Sequence, residues 1–260
     1  IFLKELNSRG PLYKVAAVQR NIDAELPVDL SDAGMPGIDT GSYDIRVTDR
    51  DVILARWDVP VANLTAGIYN NLRVLQFQGT LVPIRRGFTV VKARIGGKSI
   101  IIANTHVDNK GNQPTVQATQ AADLISELNS IDLPTVILGD MNSGPDDLPF
   151  SPYSQFLAAD FKDAWVERSN DSSSPDNPDG NTCCQDKDLG NEESELDRRI
   201  DLVLFRSSAS DGSSDSWRVR THLIGDQPQE DPIQPLLPIP PPYIYWASDH
   251  AGVATELRMR

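Results

Sequence analysis

Sulfur and histidine are scarce in this chain of 260 residues, which holds two cysteines, three methionines and three histidines. Cys183 and Cys184 are the whole cysteine complement, so no spaced Cys/His set of the zinc-binding kind is present. Neighbouring Cα atoms across a trans peptide lie closer together than an ordinary disulfide prefers, and two free thiols are expected in preference to a strained vicinal bridge. No run of eighteen apolar residues occurs, and the opening IFLKELNSRG lacks the basic start and apolar stretch of a signal peptide, so a soluble chain is expected. The chain starts at Ile1 rather than Met, which keeps a removed leader and secretion open. Basic residues are also few, 24 against 37 acidic, and the formal charge of -13 repels polyanions. A long duplex is therefore disfavoured as a partner. There is no G-x-S-x-G elbow, which weakens any serine-hydrolase reading.

What is present is enough apolar material, 39% of residues, to bury the core of one α/β domain spanning residues 1–260. Residues 2–7 have the character of a helix end, and Gly10-Pro11 breaks it before the apolar stretch YKVAAVQ. Residues 21–48, acidic and interrupted by Pro and Gly, are expected to form a surface excursion. DVILARW, LRVLQFQ and FTVVKARI predict strands, and Gly96-Gly97 predicts a hairpin into KSIIIANTHV. Pro114 suits a first helical position, and Ala121, Leu124, Ile125 and Leu128 follow the spacing of one buried helix face. PTVILGD and RIDLVLF predict strands on either side of a long polar loop over residues 169–197. A strand from Trp217 to Leu223, a proline-rich crossover containing PIPPPY, and the terminal SDHAGVATEL complete the chain. Hairpins mixed with helix crossovers predict α/β layers containing mixed sheets.

Polar residues recur where these strands begin or end. Asn104, Thr105 and His106 close KSIIIANTHV, Asp140 and Asn142 follow TVIL, and Asp249-His250 precedes AGVATEL. Asp201 differs in lying inside RIDLVLF, where a carboxylate needs a partner. Each has an ordinary explanation: Asp140 to Asn142 as an Asx turn, Asp201 paired with Arg198 or Arg199, His106 as a rim histidine, Asp249-His250 as a plain strand start. Strand ends can nevertheless hold side chains at one rim although they are distant in sequence.

Taken in order, NTH, GDMNS, RIDLVLF and SDH resemble the endonuclease/exonuclease/phosphatase superfamily, the deoxyribonuclease-I-like fold, and TCCQ before DRRIDLVLF is similar to a bacterial branch of it. The resemblance implies two facing mixed β-sheets flanked by helices, a four-layer sandwich with the site at one rim. It implies a metal-dependent phosphoesterase that hydrolyses a phosphodiester or phosphomonoester with activated water. Asp140 would orient or deprotonate that water and Asn142 would hold it or the phosphate. Asp249 would ligate Mg²⁺ or Mn²⁺, His250 paired with Asp201 would stabilise charge developing on phosphorus, and His106 would contact phosphate or assist the leaving oxygen. These residue types suit phosphoryl transfer, which depends on positioning and charge neutralisation.

The family also carries an Asn and a metal-binding Glu in strands that would precede Ile1, so the first strands are expected to be missing from this chain. Glu5 is not transferred to the metal role and is expected on a solvated helix face. The alternative to an enzyme is a catalytically impaired relative that binds a ligand or partner through the same rim. A monomer is expected, acting on a small phosphoester or headgroup in preference to duplex DNA. Arg85-Arg86 and Arg198-Arg199 are candidates to line a phosphate site, with surface solvation as their default. His222 lies outside every matched motif, and the acidic stretch 171–195 lacks the ligand spacing of an EF-hand.

Overall fold

The computed structural model describes residues 2–29, 42–77, 79–111, 114–169, 177–208, 217–230 and 244–259. A short helix α1 (Phe2–Ser8) leads into a ribbon of two long antiparallel strands, β1 (Tyr13–Asp29) and β2 (Ser42–Arg56). Glu5 is exposed and ion-paired with Arg9 one turn on, the solvated helix face expected of it. Next come β3 (Val61–Ile68), β4 (Arg73–Phe77), β5 (Thr80–Ile84), β6 (Gly87–Ile95) and β7 (Lys98–Thr105), the last two joined through Gly96-Gly97, both at positive φ. Helix α2 (Pro114–Asn129) and β8 (Thr135–Asp140) follow, then α3 (Pro152–Ala158) and β9 (Lys162–Asp163). The remaining strands are β10 (Asp201–Arg206), β11 (Arg218–Ile224), β12 (Gln229–Glu230), β13 (Ile244–Tyr245) and β14 (Gly252–Arg258).

Six strands form one mixed sheet in the order β3-β6-β7-β8-β10-β9, with β7 and β8 parallel and the other pairs antiparallel. The parallel pair is the one joined by a helix, since a crossover is needed to bring the chain back to the same end. One face of this sheet, through Val90, Ile101, Ala103, Ile137 and Leu204, packs on Ala121, Leu124 and Leu128 of α2 and Phe156 of α3. Leu124 and Leu128 are fully buried, each contributing about 1.5–3 kcal/mol of transfer free energy. The opposite face is covered twice. Val91 packs on Ala17 and Ile53 of the β1–β2 ribbon, while Ala93, Val136 and Phe205 pack on Val219, Val253 and Leu257 of the β11–β14 pair. These are the expected facing β layers with helices outside, except that the second layer is two ribbons with no hydrogen-bonded ladder between them among the described residues.

Three sequence expectations need correction. Residues 21–29 and 42–48 are not an excursion but parts of β1 and β2, because fifteen registered pairs between these strands override the turn-forming composition. Strands β3 and β5 and helix α3 were not anticipated; for α3 a signal existed, since Ser151 caps it by accepting from Ser154 N and Pro152 starts it. The two cysteines are joined to each other rather than free. The proline-rich crossover and residues 170–176 of the acidic loop lie outside the described residues.

Candidate active site at the sheet rim

Parallel β7 and β8 end side by side, and antiparallel β10 begins at the same rim. Asp140, the last residue of β8, is directly paired with Asp201, the first of β10, so both side chains leave the sheet on the same side. Gly139 lets β8 approach this closely: its φ is +143°, and a Cβ there would overlap the carbonyl oxygen of Thr105. After β8 the chain turns through Asn142 at φ +44°, a left-handed conformation that Asn tolerates. The Asx hydrogen bond does form, from Asn142 N to Asp140 Oδ1 at 2.7 Å, and it shapes the site instead of replacing it.

Around this turn the side chains converge. Asn142 Nδ2 donates to Val107 O at 3.0 Å and lies 3.2 Å from His106 Nε2, which in turn is 3.3 Å from Asp140 Oδ2. On the far side His250 Nδ1 is 2.7 Å from Asp201 Oδ2. Thus Asp201 pairs with neither Arg198 nor Arg199; Arg199 is buried against Asp163, and Arg198 reaches Asp197 and the two sulfurs. Ligand atoms of Asp140, Asp201 and His250 all lie within 4.8 Å of one another. Asp249 is exposed, accepts from Ser248 Oγ at 3.1 Å, and stands outside that trio. His222 is exposed on β11, opposite Ala254 of β14.

Two arginine- and glutamine-based supports are less legible in the sequence. Arg86 Nη1 lies 3.0 Å from His106 Nδ1 and 3.3 Å from Asp49 Oδ2. A guanidinium can only donate, so Nδ1 accepts, and neutral His106 carries its proton on Nε2 toward Asp140. Gln117 and Gln120 occupy the buried face of α2 one turn apart. Gln117 Nε2 donates to Asn142 O at 2.7 Å, and Gln120 Oε1 accepts from Asp108 N at 2.7 Å, so the helix holds both the β8 and β7 loops. Two glutamines at helical spacing among buried apolar positions were the available signal, because buried amides need defined partners.

The rim separates its titrating groups. Burial, then the Arg86 charge, pushes His106 down to about 4 and keeps it neutral. His250 is raised, first by the Asp201 hydrogen bond, against the opposing effect of burial. Burial, then the like charge of Asp201, raises Asp140 to about 6. One site therefore offers a neutral donor, a cation-forming imidazole and a carboxylate of raised basicity, the combination expected where protons are moved and an anion is held.

Carboxylates, an amide and two imidazoles are thus gathered at one rim of a mixed α/β fold. The model of the Endonuclease/Exonuclease/phosphatase family matches residues 22–250, and the chain belongs to that family. No curated protein matches it by sequence. Among solved structures it is similar to a humanized Danio rerio TDP2, at 14% identity and TM-score 0.54, over 99% of this chain and 81% of that one. It is similar to a Bacteroides thetaiotaomicron mannosyl-6-phosphatase, at 16% identity and TM-score 0.54, over 98% of this chain and 80% of that one. At these identities the likeness establishes the fold. No helix among the described residues is long and apolar enough to cross a membrane.

Proposed function

We propose that this protein is a divalent-metal-dependent phosphoric ester hydrolase acting on a phosphodiester or phosphomonoester. The carrying observation is the pairing of Asp140 with Asp201 across β8 and β10, with His250 hydrogen-bonded to the second carboxylate. The donor chemistry fits a hard cation: Asp140 and Asp201 bring carboxylate oxygens together, burial and then their mutual repulsion raise Asp140, and a cation there offsets the repulsion. Asp249, next to His250 and exposed, is the carboxylate added to this set as a direct ligand. When bound, Mg²⁺ or Mn²⁺ supplies charge neutralisation at the phosphoryl oxygens.

The chain's own residues do the rest. Asp140 accepts the proton of the attacking water, and Asn142, held to Asp140 by its backbone N–H, holds that water or a phosphoryl oxygen. His250, fixed at Nδ1 by Asp201, presents its Nε2 side to charge developing on phosphorus. His106, its Nδ1 occupied by Arg86, presents an Nε2–H to phosphate or to the leaving oxygen. The net charge of -13 favours a small phosphoester or headgroup over duplex DNA. Dialysis against chelator should abolish turnover of a chromogenic phosphodiester, and Mg²⁺ or Mn²⁺ should restore it. Full turnover in metal-free buffer would sink this reading.

A further inference from the structure

The vicinal cysteines lie against the catalytic histidine. The segment holding Cys183 and Cys184 is laced on one side to the chain before β10, through Cys183 N to Arg198 O and Arg198 N to Cys183 O, both 3.0 Å. On the other side Ala251 N donates to Thr182 O at 2.8 Å and Gln185 N to Asp249 O at 2.9 Å. This lacing puts Cys184 Sγ 3.8 Å from His250 Nε2, and the ligand atoms of Cys183, Cys184 and His250 all lie within 4.8 Å of one another. Cys183 is buried, whereas Cys184 and His250 are partly open to solvent.

We propose that the reduced cysteine pair and His250 Nε2 form a binding site for a thiophilic divalent cation of the Zn²⁺ class. Two observations carry this beyond proximity. Two sulfurs and an imidazole nitrogen are soft to borderline donors, unlike the carboxylate oxygens of Asp140 and Asp201 on the other side of His250. His250 already has the arrangement usual for a metal-bound imidazole, its Nδ1 side held by a carboxylate at 2.7 Å and its Nε2 side directed at the sulfurs. Arg198 Nη2 lies 3.3 Å from Cys183 Sγ and 3.6 Å from Cys184 Sγ.

The chemistry balances with a dithiol as reductant. The dithiol gives two electrons and two protons, the Cys183–Cys184 bond breaks to two thiols, and the reductant leaves as its cyclic disulfide. Capture of the cation then displaces both thiol protons. The fourth position is left to water. Occupancy removes His250 Nε2 from the rim, so reduction in the presence of zinc silences the site; this consequence rests on the phosphoesterase reading, whereas the binding does not.

The test uses the intact chain, reduced with dithiothreitol and desalted without oxygen, beside the unreduced protein. Competition with a chromophoric chelator should show one more equivalent of tightly held Zn²⁺ in the reduced form, and Co²⁺ should give a sulfur-to-metal charge-transfer band only there. Cys184→Ser, at a half-buried position, should lose the band and the extra equivalent. Zn²⁺ should lower Mg²⁺-supported turnover of the reduced protein more than tenfold and leave the unreduced protein and Cys184→Ser unaffected. Equal zinc uptake by reduced and unreduced wild type, or a cobalt spectrum without sulfur charge transfer, overturns the site without relying on any variant. A band with no Mg²⁺-dependent turnover to inhibit supports the site and refutes the phosphoesterase reading instead.

Discussion

Replacing Asp140 by Asn should make the protein more stable and inactive at once. Asp140 is mostly buried beside the Asp201 carboxylate, and its acidity is weakened from the usual 3.8 to about 6. At roughly 1.36 kcal/mol per tenfold change in proton affinity, ionising it in the folded protein costs about 3 kcal/mol more than in the unfolded chain. Because the folded-state value is raised, the fold favours the protonated form. That contribution is complete below about pH 4 and lost as pH rises through about 6. Asparagine stays neutral throughout and its amide oxygen still accepts from Asn142 N, although its NH₂ faces the Nε2–H of His106, a mismatch worth about 1 kcal/mol or more. Asp140→Asn should therefore gain about 1–2 kcal/mol at pH 8 in metal-free buffer, and nothing, or a small loss, at pH 4.5. Urea unfolding at the two pH values measures this. Mg²⁺ should then raise the wild-type midpoint and not the variant's, since a ligand stabilises only the state that binds it. Turnover should fall by about 10²–10⁴, the range for loss of a general base. A stability increment that is absent at pH 8, or equal at both pH values, would refute the electrostatic account of this rim.

The Asp201–His250 pair should behave as a unit. Asp201→Asn and His250→Ala should each cut turnover severely, while the double variant loses much less than the two effects combined; strict additivity would contradict the pairing seen at 2.7 Å. Arg86→Gln should let His106 titrate above about 4, followed by imidazole proton resonances in a chain with three histidines, with turnover falling about 10–100-fold. An unchanged His106 titration would show that the guanidinium does not set its state.

Local chemistry was legible wherever a residue's role depends on its neighbours in the chain. The period of Ala121, Leu124, Ile125 and Leu128 marked α2, the glycine pair marked the β6–β7 hairpin, and the apolar runs around Asp140 and Asp201 marked β8 and β10. Motif order supplied the family and with it the rim residues. Long-range pairing was not legible. The composition of residues 21–48 suggests a loop, and only the ladder between β1 and β2 makes a ribbon of most of it. Tertiary structure alone placed Asp140 opposite Asp201, and it carries the Asp201–His250 contact that the motif resemblance implied, with the arginines beside Asp201 in sequence engaged elsewhere. It also brought Arg86 to His106, and the cysteines to His250, across separations of 20 and 66 residues. Sequence patterns report which face of an element is buried, but which two elements share an edge is decided by the summed burial and hydrogen bonding of the whole sheet. The protonation states of the rim follow from that shared edge, because burial and neighbouring charge set them.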